Sequence, residues 1–577
     1  MPKGNVSINA GNLGGCQKSK NLVYKEMSIN SDTSPAKTNA LATEVEGLRR
    51  LVEEQRKLID KLSKQLQNQK ERIEQLEAEL RAKKKLKGKP KLSASLLNQP
   101  ESEEKKADKR AGSAKESKKS NFEIDEEITI QPDSIPEKAK FNGYRSYDVQ
   151  ELIIKRHNIR FQIAEYITVD GKTVVGELPT EYQGRHYGPG LVCYVMYQHC
   201  WAGDPPSNQC RVPQPLIYEQ LREWGIDIST GQVNRLLNEE HQIFEQEQHQ
   251  VLKAGLETAI YIHTDDTGAR HNGKNGYCTV IGNDDFAYFH RSDSKSRENF
   301  LEILQAGSEK YVLNEDAKVY LENYQLPQKH LLEIGYSDEP LATKKEEWQE
   351  HLLSLGITGA KTVRILTEAA LLGGLSIADR NEPLRILSDG AGQFNVMQHG
   401  LCWVHMERGL RKLEGDNEQE RKNIVEMQEL LWGYYQELKQ YQQQPSREIS
   451  LNLQDKFDDI FGRFYIGHGL LNGVLNQIRN HKIELLQVLD CPEFPLHNNA
   501  AETDIREYVT RRKISGGTRS ALGRKARDTF VGLKKTCRKL GISFWNYLTS
   551  RLHGDRQLLS LSDVIRAKAA AKILAPI

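Results

Sequence analysis

Cysteines are few in this chain, and none of them are paired by spacing. Eight occur in 577 residues, without a single Cys-x-x-Cys pair. Small secreted domains that depend on disulfides carry dense, closely spaced cysteines, whereas proteins of a reducing compartment do not. The composition therefore excludes a disulfide scaffold and predicts a cytoplasmic protein.

The chain also lacks a long apolar run. Its most apolar stretch, Leu191 to Trp201, includes two tyrosines, a glutamine and a histidine, and it is far shorter than the ~20 apolar residues that cross a membrane. The first residues, MPKGNVSINAGNLGG, contain no apolar core of the kind that defines a signal peptide. We therefore expect a core helix near 191–201, no membrane partner and no secretion.

Net charge is small over the whole chain but large in one segment. The formal net charge is +2. From Arg506 to Arg551 there are 13 lysines and arginines against two acids, Glu507 and Asp528, a local excess of +11. Positive charge concentrated in this way indicates an anionic partner such as nucleic acid.

The length predicts three to four domains, at roughly 150 residues each. Residues 1–40 are rich in Ser, Asn, Gly and Lys without periodicity, which predicts a disordered leader. Residues 84–121 are predicted to be a basic flexible linker, since Arg81 to Lys119 holds 14 basic residues against 5 acids. Such a linker acts as a solvated tether, touches DNA non-specifically, or does both.

Residues 41–83 carry a heptad repeat. One seam position is mostly β-branched and the other mostly leucine, the combination that favours a parallel two-stranded coiled coil. This pattern predicts a homodimer, and the alternative is a lone amphipathic helix packed on its own chain. The seam residues are Val45, Leu48, Val52, Gln55, Ile59, Leu62, Leu66, Gln69, Ile73, Leu76 and Leu80.

Residues 122–257 are predicted to form a helical DNA-binding region with a helix-turn-helix at 213–238. Gly225 supplies the turn and Ser229 is placed to cap the second helix. The same pattern also serves plain helix packing, so both interpretations stay open. The apolar faces are formed by Leu216, Ile217, Gln220 and Leu221 in the first helix, and by Val233, Leu236 and Leu237 in the second.

Three acids follow at the ends of predicted elements. The run TAIYIHTDDT ends a strand with two aspartates, and further strands at Tyr277–Ile281 and Phe286–His290 predict an antiparallel meander. A second strand at Leu384–Leu387 leads to Asp389, and Glu502 is placed in the first turn of a helix. Acids at the ends of buried strands need a partner, and a divalent metal ion is one.

Each acid also has a purely structural interpretation. Asp389 and Gly390 form an ordinary turn pair. Asn499 and Glu502 resemble a capping box, and Arg506 one turn later offers Glu502 an ion pair. Only the joint order of the acids, ahead of the basic segment, favours a catalytic role.

Three blocks of this sequence resemble transposases of the insertion-sequence-66 family. They are HTDDTGAR; LSDGAGQF with GLCWVHMERGL; and LHNNAAETDIR with the basic stretch RRKISGGTRSALGRKARDTFVGLKKTCRKLGISFWNYL. The resemblance spans about Leu41 to Leu548, and its last block is the most specific.

The resemblance implies a multi-domain α/β protein. Its RNase H-like catalytic core would occupy 258–548 with helical insertions at about 306–381 and 407–489, behind the coiled coil and the helical DNA-binding region. Residues 549–577 would form a C-terminal tail.

The implied active site is a triad of Asp265, Asp389 and Glu502. The family pattern has an acidic residue directly before Thr267, here Asp266, so Asp265 is the preferred ligand. The triad would hold two Mg²⁺ or Mn²⁺ ions about 3.5–4 Å apart for hydrolysis and then transesterification of phosphodiesters. The basic segment would grip DNA phosphates through Arg511, Arg512, Lys513, Arg519, Arg524, Lys525 and Arg527.

The sequence departs from the family at a cysteine motif. Many relatives have a Cys-x-x-Cys zinc segment ahead of the helix-turn-helix, where this chain offers only Cys193, His199, Cys200 and Cys210. That spacing does not support zinc. Cys402 and His405 are interpreted as a packing or hydrogen-bonding pair rather than half of a metal site.

The function implied is that of an insertion-sequence transposase, which binds element ends, cleaves their 3′ ends and joins them to target DNA. Its partners would be double-stranded DNA, a second subunit and small accessory proteins, in the nucleoid. Two alternatives stay open: a non-catalytic DNA-binding remnant or regulator, and a stand-alone RNase H-like nuclease.

Overall fold

The computed structural model describes residue 53 and residues 124–131, 134, 139–141, 144, 149, 152–200, 212–239, 241–375, 384–555 and 558–574. The predicted leader and linker lie outside these residues, as does the coiled coil at 41–83 apart from Glu53. The described residues from 124 onward belong to one compact unit. No helix in these ranges is long and apolar enough to cross a membrane.

The strands and helices of the described residues alternate irregularly along the chain. The strands are β1 (Glu165–Ile167), β2 (Thr173–Val175), β3 (Tyr261–Gly268), β4 (Tyr277–Gly282), β5 (Ala287–Ser292), β6 (Tyr311–Leu313), β7 (Ser337–Ala342), β8 (Arg385–Ser388) and β9 (Gln398–Leu401). The first helices are α1 (Pro189–Cys200), α2 (Gln214–Glu223), α3 (Thr230–Asn238), α4 (Gln242–Thr258), α5 (Arg297–Leu304), α6 (Glu315–Glu322), α7 (Gln328–Ile334), α8 (Lys345–Ser354) and α9 (Ala360–Gly373). The later helices are α10 (Trp403–Arg411), α11 (Glu418–Gln443), α12 (Arg447–Phe461), α13 (Gly469–Asn480), α14 (Lys482–Leu485), α15 (Gln487–Asp490), α16 (Asn499–Ser515), α17 (Ala521–Lys539), α18 (Phe544–His553) and α19 (Leu561–Leu574).

A five-stranded mixed sheet lies at the centre, in the order β5-β4-β3-β8-β9. The predicted meander is present as β3, β4 and β5, which pair antiparallel. β8 joins β3 in parallel and β9 joins β8 in parallel. The strand β3 is therefore central, and residues Ile262 to Thr264 are buried, as expected for a strand covered on both faces.

Helices α16 and α17 cover one part of this sheet. Their apolar residues pack against β4 and β5, and the resulting core joins the basic segment to the strands. The members of this core are Cys278, Val280, Ala287, Phe289, Ala501, Ile505, Tyr508 and Val531. The helix that carries Glu502 is thus fixed on the sheet by ordinary hydrophobic burial.

The predicted helix pair at 213–238 is present as α2 and α3, packed with α1. Gly225 adopts a left-handed backbone with φ of 74°, which glycine tolerates at no steric penalty. Ser229 caps α3 in a capping box with Gln232. Ile217, Leu221, Val233 and Leu237 are buried as expected. The prediction that Leu216 belongs to the apolar face is wrong, since half of this side chain is exposed.

The segment 306–381, predicted to be polar and helical, is only partly so. It contains helices α6 to α9 but also the antiparallel pair of β6 and β7, and residues 376–381 lie outside the description. Its Tyr320 and Tyr324 each accept a hydrogen bond from Arg297, at 2.8 Å. Arg297 also donates to the carbonyl of Gly392 at 2.6 Å. The segment therefore supports the turn that follows Asp389.

The segment 407–489 is helical and has a core of its own. This core is rich in aromatic side chains, and Trp403, just before the segment, contacts Tyr434, Phe457 and Phe461 with tilted or edge-on rings. The indole N–H of Trp403 donates to the carbonyl of Leu485 at 2.9 Å. A second layer of apolar packing therefore stands beside the sheet.

Residues 549–577 are predicted to be a C-terminal tail, and the structure describes residues 549–555 and 558–574 of this segment. Helix α18 continues to His553, and α19 lies along α4 with Leu561 and Ile565 fully buried. Arg551 binds Glu247 at 2.7 Å. The described part of the segment is therefore packed on the rest of the fold.

A buried ionic network attaches α16 to the sheet and to α17. Asp504 contacts Nε2 of His263 at 3.3 Å, Nζ of Lys539 at 2.9 Å and Nζ of Lys535 at 3.6 Å. Burial by itself would raise the pKa of Asp504, but the hydrogen bond with His263 and the charges of the lysines lower it to about 2. The carboxylate is therefore stabilised in its charged form inside the fold.

Replacing this buried carboxylate should destabilise the protein. Asp504→Asn removes the carboxylate that contacts His263 and Lys539, while Lys535 keeps its ion pair with Glu507 at 3.4 Å. Breaking a buried ion pair from one side costs about 3–5 kcal/mol. Chemical denaturation at neutral pH should show that loss. The exposed acid Asp459 provides a matched control, Asp459→Asn, which should change stability by less than about 0.5 kcal/mol.

The difference in stability between the wild type and Asp504→Asn should depend on pH. The pKa of Asp504 is lower in the fold than its ordinary value of 3.8, so its contribution is present above about pH 4 and is lost as pH falls toward 2. The gap between wild type and Asp504→Asn should narrow over that range. A gap that stays constant between pH 7 and pH 3 would contradict the assigned role.

Candidate active site

Two of the predicted acids meet because β3 and β8 run in parallel. His263 of β3 lies opposite Leu387 of β8. Two residues further along the chain stand Asp265, still within β3, and Asp389, one residue past the end of β8. Because the two strands run in the same direction, both acids come to the same edge of the sheet.

Glu502 reaches the same edge from the start of α16. The N-cap residue, Asn498, donates from its side-chain amide to the carbonyl of Thr264, at 2.8 Å. Its backbone N–H donates to Sγ of Cys402 at 3.2 Å. These two hydrogen bonds hold the first turn of α16, which carries Glu502, beside Thr264, the residue before Asp265.

The acids act on one another through their charges. Burial raises the pKa of Asp265, and the neighbouring charges of Asp389, Asp266 and Glu502 raise it further. The N–H of Asp266, which donates to Oδ1 of Asp265 at 2.7 Å, acts in the opposite direction. The resulting pKa of Asp265 is about 7. Negative charge is therefore crowded at this edge, as it is where carboxylates share a cation.

Asp266 has partners of a different kind. Its side chain is only 6% exposed and forms an ion pair with Lys295. It also accepts a hydrogen bond of 2.6 Å from the amide of Gln393, in the 3₁₀ turn that follows Asp389. Asp266 is thus neutralised by the protein itself, whereas no ion pair engages Asp265 among the residues that the structure describes.

Glu502 contacts two residues that sequence reasoning missed. Nη2 of Arg408 lies 3.3 Å from its Oε1, and Nε2 of His405 lies 3.7 Å from the same oxygen. Arg408 also contacts His405, at 3.1 Å. Both side chains project from α10, three residues apart. The sequence signal that could have identified them is a histidine and an arginine three residues apart in the motif GLCWVHMERGL.

The structural interpretations of Glu502 do not hold. Helix α16 begins after Asn498 rather than Asn499, and no side-chain hydrogen bond caps it. Within the described ranges the ion pairs of Glu502 are with His405 and Arg408 rather than with Arg506. Its side chain faces the acid-rich edge of the sheet instead of solvent along its own helix.

The site contains side chains of the types that bind metal ions, but they are not arranged around a common point as a metal site. Among the described residues, no group of three or more His, Cys, Asp or Glu side chains could hold a metal ion as arranged. The oxygen donors of Asp265, Asp389 and Glu502 suit Mg²⁺ or Mn²⁺, and their mutual repulsion is what a cation relieves. Cys402 is fully buried and accepts from Asn498, which gives it a packing role.

The basic segment is less exposed than its composition predicts. Lys513 and Arg519 are exposed, while the other five predicted DNA contacts are partly or fully buried. Arg512 donates to the carbonyl of Gly268, Arg524 contacts Asp293 at 3.5 Å, and Lys525 binds Glu245 at 2.6 Å. Many of these cations therefore already have partners within the fold.

Arg511 corrects the prediction most clearly. It is 3% exposed and donates from Nη1 to the carbonyl of Arg527, at 3.1 Å. It follows Asp504 and Tyr508 at helical spacing, on the buried face of α16. A residue on that face cannot contact the outer surface of a DNA duplex, which the charge count alone did not reveal.

Comparisons with known proteins identify the family of this chain. Residues 384–526 match the family described as "Transposase IS66 family", a stretch that includes Asp389, Glu502 and the first part of the basic segment. An uncharacterized protein, y4jO, of Sinorhizobium fredii (strain NBRC 101917 / NGR234) is 39% identical over 322 residues, which are 55% of this chain and 100% of that protein. The chain belongs to the IS66 family of transposases.

Proposed function

We propose that this protein is a DNA transposase that cleaves the 3′ ends of its element and joins them to target DNA in one carboxylate site. The observation that carries the proposal is geometric: β3 pairs in parallel with β8 just before Asp265 and Asp389, and Asn498 at the start of the helix that carries Glu502 donates to the carbonyl of Thr264. The three acids are separated by more than 100 positions in the sequence and come from two strands and a helix. Structural acids have no reason to converge in this way, because their repulsion is unfavourable.

The topology of the sheet supports an RNase H-like core. An antiparallel meander is followed by two parallel strands, with the first strand of the meander at the centre. Asp265 lies within the first strand, Asp389 directly follows the fourth, and the third acid is on a later helix. We infer that residues 258–548 form the catalytic domain, with α6–α9 and α10–α15 in its two insertions.

In this proposal Asp265, Asp389 and Glu502 hold Mg²⁺ or Mn²⁺. Such ions activate an attacking oxygen and stabilise a leaving oxygen when bound. The remaining chemistry belongs to the protein: Lys295 neutralises Asp266, and Arg408 orients Glu502. Arg512, hydrogen-bonded at the end of β3, adds positive charge beside the acids to attract a phosphodiester.

Substrate and assembly follow from the same proposal. Lys513 and Arg519 are the exposed cations of the predicted DNA contacts, and they would meet phosphates together with the partly exposed members of the segment. The heptad at 41–83 would pair two subunits so that two DNA ends are held at once. We infer a nucleoid location and a role for small accessory proteins from the family alone.

Removing any carboxylate of the triad should abolish strand cleavage. Asp265→Asn, Asp389→Asn and Glu502→Gln each delete one anionic ligand, so cleavage of labelled terminal DNA with Mg²⁺ should fall by more than about 100-fold. DNA binding, followed by mobility shift, should survive. The exposed acid Glu429 gives the control, Glu429→Gln, at wild-type rate. Cleavage at wild-type rate by any triad variant ends the assignment.

The same assay separates the alternatives. A non-catalytic DNA-binding protein shifts the DNA but leaves it intact with Mg²⁺ or Mn²⁺. A stand-alone nuclease cleaves but never yields joined products. Cleavage followed by joining, abolished by a chelator and restored by Mg²⁺, is the result expected here.

Truncating the partner of Glu502 should slow the reaction without unfolding the protein. Arg408→Ala frees the Glu502 side chain to leave its position, and misplacing a reacting group by about 1 Å costs up to about 100-fold in rate. We expect a fall of about 10- to 100-fold in single-turnover cleavage, with DNA affinity little changed. The exposed Arg447 supplies the control, Arg447→Ala. Unaltered cleavage by Arg408→Ala would show that Arg408 does not position Glu502.

Deleting residues 41–83 should lower the oligomeric state. The seam of the predicted coiled coil is the only dimerisation element that the sequence suggests, so its loss should halve the mass seen by light scattering. A shorter deletion within residues 1–40 is the control and should leave the mass per assembly otherwise unchanged. An unchanged oligomer after deletion of 41–83 would place the interface elsewhere.

A further inference from the structure

A cavity of about 220 Å³ lies between the helices α1 to α3 and the turn that joins α16 to α17. It is larger than the ~150 Å³ that holds a benzene ring and smaller than the ~300 Å³ typical of the smallest drug-sized sites. One substituted aromatic ring fits a space of this size, and a base pair does not.

The charges that line the cavity are of one sign. Arg511, Arg519 and Arg527 contribute to its wall, and none of the residues that line it is an aspartate or a glutamate. Ser520 caps the start of α17 by accepting from the N–H of Gly523 at 3.0 Å, so the positive end of that helix faces the same space.

Arg511 is the strongest indication that an anion belongs here. The residue is 3% exposed, and its Nε has no hydrogen-bond partner among the described residues. Within the same residues, Nη1 donates to the carbonyl of Arg527 at 3.1 Å and Nη2 to Sγ of Cys200 at 3.6 Å. No ion pair with a carboxylate engages Arg511 in the described part of the chain. A buried, unpaired cation is unfavourable unless a ligand supplies the counter-charge.

The rest of the wall suits a nucleobase. Gln214, Asn234 and Asn238 line the cavity with side-chain amides. Nε2 of Gln214 donates to the carbonyl of Thr230 at 3.2 Å, and Nδ2 of Asn238 donates to Oδ1 of Asn234 at 2.8 Å. The amide oxygens of Gln214 and Asn238 and the N–H groups of Asn234 are the atoms that would bind a base edge. Phe530 and Met196, both almost fully buried, supply apolar surface at the cavity. Aromatic and apolar contacts of this kind stabilise unstacked bases.

We propose that this cavity binds one unpaired nucleotide of a DNA strand, with its phosphate against Arg511, Arg519 and Arg527 and its base against the amide and apolar side chains. The inference rests on the proposed function only in taking DNA as the polyanion. It also gives Arg511 a role that a contact on the outside of a duplex cannot, and it makes α3 part of a nucleotide site.

The test compares three short duplexes of one sequence by fluorescence anisotropy. The first is fully paired, the second carries one unpaired adenosine, and the third carries an unpaired abasic residue at the same place. The wild-type chain should bind the unpaired adenosine about tenfold more tightly than the abasic residue, since only the adenosine presents a base to the amide and apolar side chains of the cavity.

Variants at exposed positions keep the test independent of folding. Asn234→Ala should bring the adenosine and abasic duplexes to equal affinity, and Arg519→Ala should weaken binding of both. Lys422→Ala, which removes an exposed lysine outside the cavity, should change nothing. Equal wild-type affinity for the two interrupted duplexes overturns the proposal, as does an adenosine preference that persists in Asn234→Ala.

The outcome is separable from that of the proposed function. Asp265→Asn should keep the full preference for the unpaired adenosine while it fails to cleave terminal DNA. A chain with this preference but without Mg²⁺-dependent cleavage would contradict the catalytic proposal alone, and cleavage without the preference would contradict the nucleotide site alone.

Discussion

The parallel pairing of β3 with β8 is the constraint on which the rest of the site depends. It brings Asp265 and Asp389 from distant parts of the sequence to one edge of the sheet. Only three residue pairs join β3 to β8, and the last of them is His263 with Leu387. They are enough to align the two acids, because Asp265 and Asp389 each lie two residues after that pair. Without that pairing, Asp265 and Asp389 would not crowd negative charge in one place. The helix α16 would then not bring Glu502 to the two aspartates.

Most of the surrounding structure offsets the repulsion that this pairing creates. Asp266 is paired with Lys295, Glu502 with Arg408, and Asp504 with Lys539. Asp265 and Asp389 are the exceptions, since no ion pair of the described residues engages either of them, and the pKa of Asp265 rises to about 7. The described part of the fold therefore leaves two carboxylates without a cation at the place where the family resemblance expects metal ligands.

Four of the five strands of the central sheet could be predicted from the sequence, because short apolar runs bounded by Asp, Asn or Gly are local signals. The strand β9 was missed, and β3 continues to Gly268 past the two aspartates that were expected to end it. The partners of the acids could not be predicted, since Arg408 is 94 positions from Glu502 and no local pattern connects them.

The burial of Arg511 could have been recognised from its helical spacing with Asp504 and Tyr508, but a charge count treats every arginine as exposed. The strands β6 and β7 and the helix α19 were not predicted either. β6 is only three residues long, and apolar residues of β7 and α19 pack into a core shared with distant parts of the chain, which no local pattern reveals.

Binding of Mn²⁺ tests whether Asp265, Asp389 and Glu502 form one metal-binding site, since it reports on the carboxylates without requiring the correct DNA. Titration calorimetry of the wild-type chain should show Mn²⁺ binding that weakens at least about tenfold in Asp265→Asn, in Asp389→Asn and in Glu502→Gln, because each removes one anionic oxygen ligand. Asp459→Asn should bind as the wild type does. Equal Mn²⁺ affinity in the wild type and in the three variants would contradict the account that these residues form one metal-binding site.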